Sequence, residues 1–284
     1  MLRKGDLTQG GITGTLLHFT LPMMVGSFLQ QCYNIADTLI VGQCIGAGAL
    51  AAVGSAYTLM VFLISVLLGL AMGSGTVFSL HYGAGNHVAL RRSIFSSFVL
   101  IGIVTLILNV AVFIWLDPIL RLLQVPQDIY GMMRSYSWII FCGIVFTFIY
   151  NFYASLLRAV GDSVTPLWFL AVSVVLNIAL DLFFILQLDW GIQGAAAATV
   201  LAQGVAALGI IIYTYRRRPE LRWHHEDMCF DRTCLKEIAS FSTLTCVQQS
   251  VMNLGILMIQ GLVNSFGTAV MAAFAAARSE EHTS

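Results

Sequence analysis

Seven stretches of about 20 or more mostly apolar residues, separated by short polar connections, leave this chain few choices of fold. They fall near 15–41, 52–80, 94–116, 133–157, 166–188, 191–214 and 237–263. About 20 apolar residues in helical form match the hydrocarbon thickness of a bilayer, and within lipid only a helix satisfies its own backbone polar groups segment by segment. The pattern predicts an all-α integral membrane protein, a polytopic helix bundle. Composition agrees: 58% of the 284 residues are hydrophobic and 10% charged, with a mean hydropathy of +0.85. A single soluble core could not hide that much apolar surface.

Lys and Arg number 14 against 14 Asp and Glu, so no basic excess argues for a nucleic-acid partner. Their placement carries more information. Arg3, Lys4, Arg91, Arg92, Arg158, Arg216, Arg217, Arg218, Arg222, Arg232 and Lys236 all fall in connections on one side of the expected bundle; Arg121 and Arg134 fall on the other. Excess Lys and Arg marks the cytoplasmic face, which predicts a cytoplasmic N-terminus in a multi-pass protein of the cell membrane. The polar leader MLRKGDLTQGGITGT feeds the first apolar stretch with no small-residue cleavage site, so a first span is expected there rather than a removable signal peptide.

The connections YGAGNH at 82–87, LDP at 116–118, VPQD at 125–128, VGDSVTP at 160–166 and LDWG at 188–191 are turn chemistry. The long connection at 215–236 reads as an amphipathic cytoplasmic linker. His224, His225, Cys229 and Cys234 lie in it at spacings that match no common metal site. The six cysteines form no CxxC pair and are expected to pack as small apolar residues.

The chain also resembles itself. FLQQCYNIADTLIVGQCIGAGALAAVGSA from Phe28 aligns with CVQQSVMNLGILMIQGLVNSFGTAVMAAFAAA from Cys246, which makes the seventh span a second copy of the first. Internal repeats build many membrane transporters, with the path between the halves. The expectation is a six-helix lobe at 1–214, the linker at 215–236, and the start of a second lobe at 237–277, with about five further helices completing the design. Residues 278–284, RSEEHTS, match the in-frame translation of a sequencing adapter, and a non-native tail is expected there.

An ionisable side chain near the centre of a lipid-embedded helix costs roughly 2.5–3.5 kcal/mol on insertion scales, so it marks a cavity or a partner. Asp37 in the first span and Asp181 in the fifth qualify, and Thr199 in the sixth lies at similar depth. Asn177 precedes Asp181 by four residues, and Tyr33 bears the same relation to Asp37, which places each pair on one helix face. Two carboxylates, an amide and a hydroxyl offer hard oxygen ligands to Na⁺. The alternative occupant is a proton, since burial and a nearby like charge both favour a neutral carboxyl group. Asn177 and Thr199 taken alone would be ordinary interhelical hydrogen-bond partners. Pro22 removes a backbone hydrogen bond and is expected to kink the first helix. His18 and His81, near span ends, are assigned no role. The glycines at 46–50 and 69–75 suit close helix approach, not a phosphate cradle.

No catalytic constellation lies outside the apolar spans and no nucleotide-binding loop is present, so neither an enzyme nor an ATP-driven pump is expected. The energy source is then an ion gradient, with no cofactor other than the coupling ion.

The LP at 21–22, IADTLIVG at 35–42, LLRAVGDSVTP at 156–166, and NIALDLFF at 177–184 followed by GIQGAAAATV at 191–200 resemble the N-terminal lobe of the multidrug and toxic compound extrusion (MATE) exporters. The resemblance runs over essentially all of 5–277. It implies two six-helix lobes, alternating access, and export of organic cations or amphiphiles in antiport with Na⁺ or H⁺ by a protein that is monomeric when full length. It also places that family's N-lobe cation site on Asp37, Asn177, Asp181 and Thr199. The chain departs from the pattern in its second lobe, of which little is present, and in helix seven, where Gly255 stands opposite Asp37. Two other readings are a lipid-linked oligosaccharide flippase and a non-transporting receptor or scaffold. A flippase groove would carry intramembrane cations, and no Arg or Lys lies well inside a span; a receptor would leave the repeat unexplained.

Overall fold

A computed structural model describes residues 12–222 and 232–281, and among the described residues all regular structure is helical. The chain runs α1 Ile12–Cys44, α2 Ala47–Gly83, α3 His87–Leu122, α4 Gln127–Cys142, α5 Ile144–Ala159, α6 Val164–Leu182, α7 Gly191–Arg217, α8 Arg232–Asn264 and α9 Thr268–Glu281. A π-helical turn, Phe183–Gln187, extends α6, and a 3₁₀ turn, Pro219–Leu221, follows α7.

Six of the seven expected spans are long and apolar enough to cross a bilayer: α2, α3, α6 with its π turn, α7, α8, and the α4–α5 pair taken as one bent span. The first is a 33-residue helix, but Gln30, Gln31, Asn34 and Asp37 interrupt its apolar run and it does not meet that measure. The stretch 133–157, expected as one helix, is broken at Gly143 with a 46° bend. Pro22, by contrast, lies inside α1 with the helix continuing on both sides. Much of the connection expected at 215–236 is helical: α7 runs on to Arg217 and α8 begins at Arg232. His224, His225 and Cys229 fall outside the described residues, as do 282–284, while Cys234 is buried in α8.

The bundle turns apolar side chains both ways. Leu90, Ile94, Ile101, Phe141, Phe152 and Leu157 are fully buried in its centre, whereas Leu106, Ile107, Val175, Leu244 and Met258 project outward, as a lipid-facing surface requires. Phe98, Phe148 and Phe152 form an aromatic cluster between α3 and α5, with ring centroids 5.2–6.1 Å apart. Such pairs add about 0.5–1.5 kcal/mol each beyond area burial.

The most extensive packing joins α2 to α8. Small residues make it possible: a Cβ on Gly69 would stand 2.4 Å from the Cα of Cys246, and one on Gly73 2.4 Å from the Cα of Ser242. The two backbones therefore touch, and Ser242 donates its hydroxyl to the Leu70 carbonyl at 3.3 Å. Near the basic end of this interface His81 Nε2 lies 3.3 Å from the Glu237 carboxylate.

Candidate functional site

The reversal between α6 and α7 puts the candidate residues together. After Asp181 the helix widens into the π turn, Trp190 N–H donates to the Phe184 carbonyl at 3.1 Å, and α7 returns directly alongside α6. π turns of this kind concentrate at functional sites. The return brings Thr199 against Asn177, while α1, which packs chiefly on α6, delivers Asp37 and Tyr33 from the other side.

All four predicted residues, Asp37, Asn177, Asp181 and Thr199, are buried, and the structure gathers them into one cluster. The two carboxyl groups are near enough to interact electrostatically. The Asn177 amide satisfies both of its groups when its nitrogen donates to Asp181 Oδ2 at 3.0 Å and its oxygen accepts from the Thr199 N–H at 3.2 Å. The Tyr33 and Thr199 hydroxyls are 3.3 Å apart.

Asp37 Oδ1 and Asp181 Oδ1 are buried with no hydrogen-bond partner. An unpaired buried carboxylate oxygen is costly, and two facing carboxylates repel unless a proton or a cation neutralises one of them. The residues present thus fit a small hard cation or a proton. Among the described residues no group of three His, Cys, Asp or Glu side chains gathers for a transition metal.

Two further tyrosines went unnoticed in the sequence. Tyr57 of α2 and Tyr136 of α4 share the electrostatic neighbourhood of Asp37, Asp181 and Tyr33. Tyr57 accepts from Asn34 Nδ2 at 3.1 Å, and Asn34 also donates to Gln31 Oε1 at 3.1 Å. Gln31, Asn34, Asp37, Tyr57 and Gln260 line a cleft of about 630 Å³, open part included, which runs between α1, α2, α8 and α9. Asp37 therefore borders both the acid cluster and the cleft.

A second polar cluster, also missed, ties α2 to α8. Ser55 donates to Asn264 Oδ1 at 3.0 Å, Gln260 Nε2 donates to Ser55 and to Asn264 at 2.9 Å each, and Thr58 donates to Gln260 Oε1 at 3.2 Å. Asn264 Nδ2 reaches on to the Leu123 carbonyl at 2.8 Å, tying α8 to the end of α3. The i, i+3 spacing of Ser55 and Thr58 and the i, i+4 spacing of Gln260 and Asn264 are the signal that could have revealed it.

These features define a multi-pass helical membrane protein with a buried acid pair beside an internal cleft. The MatE family pattern matches residues 22–183, and the chain belongs to that family of transporters. A protein named "Probable multidrug resistance protein YpnP" from Bacillus subtilis (strain 168) is 32% identical over 282 residues, covering 97% of this chain and 61% of its own length. "Multidrug export protein MepA" from Staphylococcus saprophyticus is 31% identical over 210 residues, 71% of this chain and 45% of its own. Among solved structures, an inward-facing multidrug resistance MATE family transporter of the MOP superfamily superposes with a TM-score of 0.80 at 25% identity, over 93% of this chain and 60% of that one. The Vibrio cholerae MATE transporter VcmN in its bent form gives 0.80 at 26%, over 95% and 61%. The chain thus spans about three fifths of the length of relatives such as YpnP.

Proposed function

We propose that this chain is the N-terminal lobe, with the first helices of the second, of a secondary active transporter that exports cationic or amphipathic organic compounds in antiport with Na⁺ or H⁺ by alternating access. The observation that carries this is the pair of unpartnered carboxylate oxygens of Asp37 and Asp181, buried in a lipid-embedded bundle at the edge of a cleft. Asp37, Asn177, Asp181 and Thr199 bind the coupling ion, with Tyr33 supporting Thr199. A bound ion couples to transport if its affinity differs between the two orientations of the protein. Filling the acid pair changes the charge on the wall of the cleft through Asp37, so ion occupancy and cargo occupancy are read by one residue. The names of the relatives, multidrug resistance and multidrug export, support the cargo class. The asymmetry of Lys and Arg supports a cytoplasmic N-terminus in the cell membrane.

The test is efflux of a fluorescent organic cation from vesicles carrying the full-length protein, under an imposed Na⁺ gradient and, separately, an imposed pH gradient. Efflux driven by one gradient names the ion. Correctly inserted protein that moves no cargo under either gradient refutes the reading.

A further inference from the structure

The fourth span is broken at Gly143, and the break is supported on both sides. Gly143 N–H donates to the Ile140 carbonyl at 2.9 Å, while Asn109, a buried amide on α3, donates to the Phe141 carbonyl at 3.0 Å. Within lipid a polar side chain is expensive, so a buried asparagine that serves a neighbouring helix's backbone marks an interruption the fold maintains. The bend presses the backbone of the fourth span onto α7. A Cβ on residue 143 would stand 2.5 Å from Val200 Cγ2 and 3.0 Å from Cγ1, so only glycine fits there. Val200 is the residue after Thr199. One turn beyond the break Thr147 donates its hydroxyl to Gln203 Oε1, and Gln203 follows Thr199 by four residues, on the same face of α7. A small cavity lined by Phe141, Ile144, Thr147, Thr199 and Gln203 lies beside this contact. Thr199 is thus held from one side by Asn177 and Tyr33, and its helix is gripped from the other by the broken span.

We infer that the break at Gly143, with Asn109, Thr147 and Gln203, is a positioning device that sets the register of α7 and so the placement of Thr199 in the cation site. None of the four touches the ion. The inference rests on the proposed cation site, and it adds a mechanical consequence: the bend of the fourth span and the occupancy of the site are linked, so anything that changes one shifts the other.

The experiment follows the thermal stability of the purified full-length protein in mild detergent, first as NaCl replaces choline chloride at fixed pH, then as pH varies in choline chloride. A ligand that binds only the folded state raises stability by RT ln(1 + [L]/Kd), so the concentration at which the rise sets in, taken here as the titration midpoint, reports affinity. Gly143→Ala is expected to weaken binding of whichever ion stabilises the parent by about 10-fold or more, the size of effect seen when support behind an ion ligand is lost. Val200→Ala removes the atoms that the new methyl group would strike, so Gly143→Ala/Val200→Ala should return the midpoint to within about twofold of the parent. A general packing defect would lower stability at every ion concentration and leave the midpoint in place. A folded Gly143→Ala protein with an unchanged midpoint, or a weakened one that Val200→Ala does not restore, overturns the inference. Should Gly143→Ala fail to insert, Thr147→Val adds no bulk, removes the hydroxyl donated to Gln203, and is expected to weaken binding several-fold; an unchanged midpoint there also overturns it. A parent protein stabilised by neither Na⁺ nor protons refutes the cation site itself, and the positioning role with it.

Discussion

Asn264 is where the α2–α8 cluster concentrates its polar bonds, and Asn264→Leu tests what that cluster contributes. The side chain makes three hydrogen bonds: it accepts from Ser55 at 3.0 Å and from Gln260 at 2.9 Å, and donates to the Leu123 carbonyl at 2.8 Å. Two of these bonds leave α8 and, at the average of about 0.6 kcal/mol for interhelical bonds in membrane proteins, contribute about 1.2 kcal/mol; the bond from Gln260 is within α8 and adds about 0.2–0.5 kcal/mol, bringing the three to about 1.5–2 kcal/mol. The substitution also strands the Leu123 carbonyl at the end of α3, and leaving a buried acceptor unpaired adds about 1–3 kcal/mol. The expected loss is about 3–5 kcal/mol. Gln260→Leu makes the contrast. It also removes three bonds, two to Ser55 and Asn264 and one from Thr58, yet Ser55 still donates to Asn264 and Thr58 still has the Gly54 carbonyl at 3.2 Å. No partner is stranded, so its loss stays near about 2 kcal/mol. Thermal unfolding of the purified protein, followed by circular dichroism in mild detergent, should show a drop in Tm of about 10 °C for Asn264→Leu and about 5 °C for Gln260→Leu. A Gln260→Leu protein that loses as much as Asn264→Leu, or an Asn264→Leu protein that unfolds with the parent, refutes the bookkeeping of stranded and unstranded partners.

Asp37→Asn and Asp181→Asn each keep the shape of the acid pair but remove one charge; each should reduce gradient-driven efflux to background while membrane insertion, measured by surface labelling, stays at the parent level. Tyr33→Phe loses only the hydroxyl 3.3 Å from Thr199, a bond of about 0.6 kcal/mol, and should shift the ion-titration midpoint by less than about threefold; a complete loss of ion response would make Tyr33 a ligand instead. Gly73→Ala places a methyl group 2.4 Å from the Ser242 Cα, forces α2 and α8 apart by about 1 Å, and is expected to cost about 1–3 kcal/mol in the same unfolding assay.

What the sequence made legible follows from the price of burying polarity in lipid. Asp37 and Asp181 stood out because a lone acid in an apolar run has few innocent explanations, and Asn177 followed by its helical spacing from Asp181. Most of the span pattern was plain, because apolar length reads bilayer crossings, though α1, interrupted by polar residues, falls short of that measure. The break at Gly143 was not, since a single glycine in an apolar stretch neither shortens the stretch nor changes its hydropathy; the clash with Val200 that makes it necessary lies 57 residues along the chain. Tyr57, Tyr136, Gln260 and Asn264 were hidden for a related reason. Tyrosines, amides and hydroxyls recur in ordinary helix packing, and only the α2–α8 and α1–α2 contacts show which of them meet. Pro22 lies inside α1, which continues on both sides of it, while the break announced by no residue type lies in a different span.

Two of the buried polar clusters have different partners. Asp181, Asn177 and Thr199 are held among the first seven helices by the α6–α7 reversal, and the Gly143 break grips α7 from behind. Ser55, Thr58, Gln260 and Asn264 instead join α2 to α8, across the boundary at which the internal repeat begins again. The cleft lies between the two sets, with Asp37 on one wall and Gln260 on another. A change at the acid pair therefore has a short physical route to the α2–α8 contact: along α1 from Asp37 to Asn34, across to Tyr57, and one residue along α2 to Thr58. Each link is a hydrogen bond or a step of at most one helical turn. On the proposed reading, in which Asp37 helps bind a coupling ion, that site and the interface between repeats share this strip of α1 and α2. Removing the Asn34–Tyr57 bond should then uncouple ion binding from cargo release without abolishing either.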